Sequence, residues 1–333
     1  MSASILLQAD DLEKHYTLGR KTLFGKPDVL KAVDGVSFYL REGETLGLVG
    51  ESGSGKSTTG RLILRLLDPT AGQVTYRGQE ILGMPLRQFK PYRKDMQMIF
   101  QDATSSLNPA YNIGQLLEEP MLVNAAPADG AARREKVAEL LQQVGLKAEH
   151  ATRYPHEFSG GQRQRIGIAR ALAVHPKLIV ADEPVSALDV SVQSQILNLM
   201  QDMKQRYGLS YLFIAHDLAV VKHMSDRIAV MYLGKIVETA SAADLYQRPG
   251  HPYTQMLLAA IPRMGADAAD ARRQRAAASA ASATAAIDLP SPVNPRDACA
   301  FSARCPHRMP VCDQQTPLPR AIAPQHIVAC HLL

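Results

Sequence analysis

Residues 50–58 read Gly-Glu-Ser-Gly-Ser-Gly-Lys-Ser-Thr and match the pattern G-x-x-x-x-G-K-[ST]. No other stretch of the chain restricts its fold as much. Small residues let the backbone turn its N–H groups inward around an anion. A helix that starts at the end of the loop points its positive end at the same place. The flanks suit this geometry: 45–49 is a short apolar run that reads as a buried strand. Residues 56–67 have helical spacing, with Leu62, Ile63, Leu66 and Leu67 on one side. In this setting Gly50, Glu51, Ser52, Gly53, Ser54, Gly55, Lys56, Ser57 and Thr58 form a phosphate cradle. Lys56 supplies a point charge to the terminal phosphates of ATP, and the Ser57 hydroxyl can ligate Mg²⁺.

The remaining pattern predicts strands over 4–10, 33–40, 72–76, 178–181, 210–215 and 229–232. It predicts helices over 113–122, 133–144, 161–173 and 190–207. Strands alternating with helices imply a largely parallel sheet covered on both faces. The helical block over about 102–175 reads as an inserted lobe. Residues 265–286 are alanine-rich with Arg272, Arg273 and Arg275, and composition does not decide between helix and linker. A proline-rich stretch, 290–295, opens a small C-terminal module. The expected domains are therefore a nucleotide-binding unit over 1–260, a linker over 261–289 and the module over 290–333.

Two further segments carry chemistry. The run Leu178-Ile-Val-Ala-Asp182-Glu183 puts two carboxylates at the end of a buried strand. Asp182 suits Mg²⁺ and Glu183 suits general-base or water-positioning work. In Phe158-Ser159-Gly160-Gly161-Gln162 a serine N-cap and two glycines open a helix, which makes a second anion site. With one complete cradle already present, a second makes sense if it serves a nucleotide bound by another subunit.

These elements together resemble the nucleotide-binding domain of ATP-binding-cassette transporters. The resemblance implies a RecA-like P-loop NTPase core with an antiparallel β subdomain and an inserted helical subdomain. It assigns Ser159–Gln162 to the signature motif and Tyr16 to adenine stacking. It gives Gln101 a place beside Mg²⁺ or water and the membrane subunits, Asp189 in Ser186-Ala-Leu-Asp to the D-loop, and His216 to the γ-phosphate. Four stretches resemble the peptide and nickel importer branch more narrowly: Pro155-His-Glu-Phe-Ser-Gly-Gly-Gln, Ala181-Asp-Glu-Pro-Val-Ser-Ala-Leu-Asp, His251-Pro-Tyr-Thr, and the ending Cys299-Ala-Phe-x-x-Arg304-Cys305 with two later cysteines. The implied function is ATP hydrolysis that drives peptide import. The implied partners are a second homologous ATPase subunit, two membrane-spanning permease subunits and an extracytoplasmic peptide-binding protein. The chain would then sit on the cytoplasmic face of the cell membrane. Oligopeptide or nickel import is the near alternative.

Composition weighs against other classes. Hydrophobic residues make up 46% and charged residues 21%, as in a folded globular chain. Aromatics are 5% with no tryptophan, which disfavours stacking platforms for nucleic acid, and a net charge of +5 is a mild excess. No stretch approaches the roughly 18 apolar residues of a membrane span, and residues 1–10 do not read as a signal peptide. Retention of Gln101, Glu183 and His216 disfavours a non-hydrolysing partner.

All four cysteines lie in the C-terminal module, as Cys299, Cys305, Cys312 and Cys330, spaced C-x5-C-x6-C-x17-C. Four thiolates suit a soft metal centre. Paired C-x2-C knuckles, common at zinc, are absent, and the wider spacing suits an iron–sulfur cluster, [4Fe–4S] in the first instance. The resemblance points the same way, because some peptide-importer ATPases carry such a cluster in a cysteine-rich tail. Zinc or free thiols are the alternatives, and His307, His326 and His331 are close enough in sequence to substitute as ligands.

Overall fold

The computed structural model describes residues 4–19, 27–124, 129–261 and 293–333. The alanine-rich stretch and its arginines fall outside the described residues. Among these described residues twelve strands follow in chain order. They are β1 (Ile5–Thr17), β2 (Val29–Arg41), β3 (Thr45–Val49), β4 (Ala71–Tyr76), β5 (Gln79–Glu80), β6 (Met96–Ile99), β7 (Leu178–Asp182), β8 (Ser210–Ala215), β9 (Arg227–Tyr232), β10 (Lys235–Ser241), β11 (Pro319–Ala323) and β12 (His326–Ala329). The principal helices are α1 (Lys56–Ile63), α2 (Ile113–Val123), α3 (Gly130–Gln143), α4 (Gly160–Leu172), α5 (Val190–Tyr207), α6 (Leu218–Met224) and α7 (Pro252–Ala259).

The central sheet runs β11-β12-β10-β9-β3-β8-β7-β6. Its five strands from β9 to β6 are parallel, as the alternating pattern implies. Successive residues of these strands face opposite layers. In β8, Leu212 and Ile214 face one core, while Tyr211 and Phe213 face the other. One layer holds α1 and an antiparallel sheet ordered β2-β1-β4-β5. The other layer is helical. The inserted lobe merges with it, since Leu116, Leu140 and Ile166 belong to the same buried cluster as Ile179 and Phe213.

Two departures from the sequence reading have local causes. Helix α1 stops at Ile63 instead of running to residue 67. Arg65 takes a left-handed φ of 50° and spends its guanidinium on the carbonyls of Ile81 and Met84, which leaves Leu66 exposed. The sheet is also not parallel throughout: β10, β12 and β11 extend it antiparallel. The cysteine module therefore adds two strands to the main sheet.

That junction is organised by Glu238, which is 1% exposed. Its carboxylate accepts hydrogen bonds from the Gly250 and His251 backbone amides at 2.7 and 2.9 Å, and it meets His326 Nε2 at 2.7 Å. His251 N-caps α7 through Nδ1, which accepts from the Tyr253 amide at 3.0 Å. Burial pushes the His251 imidazole down to about 4, against a smaller opposing pull from Glu238.

In the unfolded chain this imidazole takes up a proton near its ordinary pKa of about 6.5, well above its folded value. Its contribution is thus fully present above pH 6.5 and is lost as pH falls towards 4. The loss amounts to roughly 3 kcal/mol over that interval. Urea unfolding at several pH values should show this slope. His251→Asn keeps a side-chain acceptor for the cap and should flatten that part of the slope.

Candidate active site

Helix α1 begins directly at the phosphate loop, at the C-terminal end of β3. Only glycine fits two of its positions. Gly55 has a φ of 102°, and a Cβ there would lie 2.1 Å from the Ala32 carbonyl oxygen. A Cβ on Gly50 would lie 2.1 Å from the Met231 carbonyl oxygen. The loop, with Leu30 and Ala32 from β2, encloses a cavity of about 450 Å³. Ser52, Gly53, Gly55, Lys56, Ser57 and Thr58 line it, and Gln101, Glu183 and His216 reach it from three other segments.

Lys56 is 4% exposed, and its Nζ donates to the carbonyls of Gly50 and Glu51, each at 2.8 Å, and to Ser54 Oγ at 3.3 Å. Burial lowers its pKa, against the attraction of Glu183, Asp182 and Glu51. Ser57 Oγ donates to Asp182 Oδ1 at 2.6 Å. Burial raises the Asp182 pKa, and the Ser57 hydroxyl and Arg61 offset part of the rise. A half-buried hydroxyl and a buried carboxylate held together beside a lysine ammonium form a donor set suited to Mg²⁺ and phosphate oxygens.

Glu183 follows the last residue of β7 and adopts a left-handed φ of 46°, while its amide is tied to the Ile214 carbonyl at 2.9 Å. A non-glycine residue in that region is held there by its surroundings. Here the turn aims the carboxylate back at the cavity. Gln101 Nε2 donates to Glu183 Oε2 at 3.0 Å, and His216 Nδ1 lies 3.2 Å from the same oxygen. Gln101 comes from the segment after β6 and His216 from the residue after β8. Three strand ends thus converge on one carboxylate oxygen.

The other residues named from sequence lie elsewhere. Ser159 N-caps α4 in a reciprocal box with Gln162: Gln162 N donates to Ser159 Oγ at 3.4 Å, and Ser159 N donates to Gln162 Oε1 at 3.0 Å. Ser159, Gly160, Gly161 and Gln162 do not line the cavity. Asp189 occupies the N-cap position of α5 without a side-chain capping bond, beyond the Ser186 turn that closes onto the Glu183 carbonyl. Tyr16 is not in the lining either, although its cross-strand partner Leu30 is. Glu51 turns its side chain outward to Arg304.

Leu30, Ala32, Tyr253 and Arg304 are contributors that sequence reasoning missed. Tyr253 and Arg304 carried a signal, as parts of His251-Pro-Tyr-Thr and Cys299-Ala-Phe-x-x-Arg304-Cys305, and neither motif disclosed its contact.

Two other groups bear on metal binding. Glu13, His15 and Asp34 bring ligand atoms within 4.8 Å of one another. Lys31 and Lys235 already contact Asp34 at 3.2 and 2.8 Å, so two ammonium groups hold the place a cation would need. The four cysteines lie close together around the Cys299–Cys312 backbone contact of 2.9 Å. Burial pushes the Cys299 thiol up to about 11, with smaller contributions from Cys312, Cys330 and Cys305. His326 and His331 direct ring nitrogens to Glu238 and to the Gln315 carbonyl.

The ABC transporter family profile matches residues 33–186, and the profile for the oligopeptide/dipeptide transporter C-terminal region matches residues 237–312. The oligopeptide transport ATP-binding protein AppF of Bacillus subtilis is 48% identical over 98% of this chain and 97% of its own length. The dipeptide transport ATP-binding protein DppF of Escherichia coli K12 is 50% identical over 98% of this chain and 93% of its own length. The chain belongs to the ABC transporter ATP-binding proteins, in their oligopeptide/dipeptide branch. It is an ATPase with the ABC cassette fold. Among solved structures, the dimeric ATP-binding cassette MJ0796 in a post-hydrolysis state bound to ADP and Pi superposes with a TM-score of 0.64. That pair is 28% identical, over 71% of this chain and 99% of MJ0796.

The Glu183 carboxylate, held on Gln101 and His216 at the cavity, has the chemistry to accept a proton from a water there. Glu183→Gln should lower steady-state phosphate release by about 10²–10⁴-fold while Mg-ATP still binds. A turnover near the native rate would refute that role.

Proposed function

We propose that this chain powers the import of short peptides by binding and hydrolysing ATP beneath a membrane permease. The convergence of Gln101, Glu183 and His216 on the phosphate-loop cavity carries this reading. Near full-length likeness to peptide-transport ATP-binding proteins supplies the cargo class.

In this reading Lys56 and the loop amides grip the terminal phosphates, and Tyr16, across from Leu30, takes the adenine end. Ser57 and Asp182 hold Mg²⁺, which neutralises phosphate charge when bound. Gln101 and His216 orient Glu183 and the γ-phosphate, and Glu183 accepts the proton of the attacking water.

The signature residues Ser159, Gly160, Gly161 and Gln162, with Asp189, act on the nucleotide of a second, homologous ATPase subunit. Their exposed, capped helix start and their absence from this chain's own cavity support that division. The assembly also needs two membrane-spanning permease subunits and an extracytoplasmic peptide-binding protein. No helix among the described residues is long and apolar enough to cross a membrane. A groove of about 460 Å³ between the core and the inserted lobe offers the permease a seat beside Gln101. It is lined in part by Leu66, Phe100, Glu119 and Val123. The chain then works at the inner face of the cell membrane.

Cys299, Cys305, Cys312 and Cys330 hold a [4Fe–4S] cluster in this reading. The other three thiols all act on Cys299, which puts the four in one neighbourhood. Their spacing lacks the paired C-x2-C knuckles common at zinc, which favours the cluster over a zinc ion.

Two measurements test these assignments. In the assembled transporter Ser159→Arg should reduce hydrolysis and peptide uptake at least about tenfold, while Lys56→Ala should weaken nucleotide binding to this chain itself. Full-rate hydrolysis by an isolated monomer, untouched by Ser159→Arg, would overturn the shared site. Anaerobic purification should yield a brown protein with about four irons per chain. A colourless protein with stoichiometric zinc, or with no metal, would overturn the cluster.

A further inference from the structure

Glu51, the first variable residue of the phosphate loop, is held at every polar group. Its carbonyl accepts from Lys56 Nζ at 2.8 Å, and its amide donates to Tyr253 Oη at 2.9 Å. Its carboxylate takes both arms of the Arg304 guanidinium, Nη1 to Oε2 at 2.8 Å and Nη2 to Oε1 at 2.9 Å. Neither anchor belongs to the loop. Tyr253 lies on α7, and Arg304 lies in the turn between Cys299 and Cys305, more than 200 residues away in sequence.

Both anchors are built on a rigid base. Tyr253 and Phe301 are 0% and 1% exposed. Their rings pack at 5.4 Å between centroids, and Tyr232 packs against each, at 4.6 and 5.3 Å. The Arg304 guanidinium lies 5.8 Å from the Tyr232 and Phe301 rings. The turn that carries it is closed by Ser302 N to the Cys299 carbonyl and Arg304 N to the Phe301 carbonyl, each at 3.0 Å. Bidentate arginine–carboxylate pairs fix orientation as well as distance. Here one fixes the residue whose carbonyl holds the phosphate-binding lysine.

We infer that Arg304 and Tyr253 are positioning residues for the phosphate loop, so that the cysteine module sets the affinity of the ATP site through Glu51. This rests on the ATP-site reading above. It adds that the C-terminal module is a working part of that site. A purely structural staple would use the same bonds but would leave nucleotide affinity unchanged in the folded protein.

The test is calorimetric titration of the full chain with Mg-ATP, beside thermal melting and steady-state kinetics of the assembled transporter. Arg304→Gln should raise the Kd for Mg-ATP about tenfold, within the roughly 5–150-fold range of coupled sites. KM should rise with it, while kcat stays within about twofold, because Glu183, Gln101 and His216 are untouched. Glu51→Gln should give a similar rise, and the double variant should be no worse than either single one, as expected for one shared interaction. Tyr253→Phe removes a single oxygen and should raise Kd in the same direction. It carries the test if Arg304→Gln fails to fold. Native Kd in folded Arg304→Gln and Tyr253→Phe, or fully additive losses in the double variant, would overturn the inference alone. A wild-type chain that binds no Mg-ATP would overturn the ATP-site reading, and this inference with it.

Discussion

A lysine ammonium buried to 4% exposure is the constraint around which this molecule is arranged. Burying a charge is costly unless it is paired and hydrogen-bonded. Lys56 meets that cost with two backbone carbonyls and the Ser54 hydroxyl, and with the carboxylates of Glu183, Asp182 and Glu51 around it. Each of those carboxylates has its own anchor: Asp182 on Ser57, Glu183 on Gln101 and His216, and Glu51 on Arg304. In the function proposed above, Asp182 and Glu183, which help solve the lysine's solvation problem, also handle Mg²⁺ and water.

The parallel sheet makes this convergence geometrically simple. Parallel strands end on the same side, so the residues that follow β3, β6, β7 and β8 emerge together, where open α/β sheets bind their ligands. The phosphate loop follows β3, Gln101 follows β6, Asp182 and Glu183 close β7, and His216 follows β8. Strand register does the finer placement. Val49 pairs with Ala215, and Asp182 pairs with Ile214, which puts His216 and Glu183 one residue beyond matched positions.

The C-terminal module is joined to this arrangement at several points, among them Asn294, which bonds the Val29 backbone at the start of β2. Its strands extend the central sheet at β10, locked by the buried Glu238 and His326. Its cysteine turn reaches the phosphate loop through Arg304. A module of this size has too small a core to stand alone. Here it borrows a core instead, with Phe301 buried in the main helical layer against Tyr232 and Tyr253.

The sequence by itself determined the parts whose chemistry is written in contiguous residues. The glycine, lysine and serine spacing of 50–58 forces a phosphate loop, and the apolar run before Asp182 and Glu183 forces a buried strand with carboxylates at its end. The serine and glycines at 159–161 force a capped helix start. Helix α5 and strand β8 were legible to the residue, because a long amphipathic period and a continuous apolar run leave one reading. Short or lightly patterned strands such as β6 and β12 were not, because four residues carry too little period to identify a strand. Only the tertiary structure decided which distant groups meet. The left-handed turn that aims Glu183 at Gln101 and His216, the separation of Ser159 from this chain's own cavity, and the grip of Tyr253 and Arg304 on Glu51 depend on strand order and on packing between segments up to 253 residues apart. Local patterns encode backbone conformation and burial, whereas contacts of that range arise only when separate segments compete for the same core.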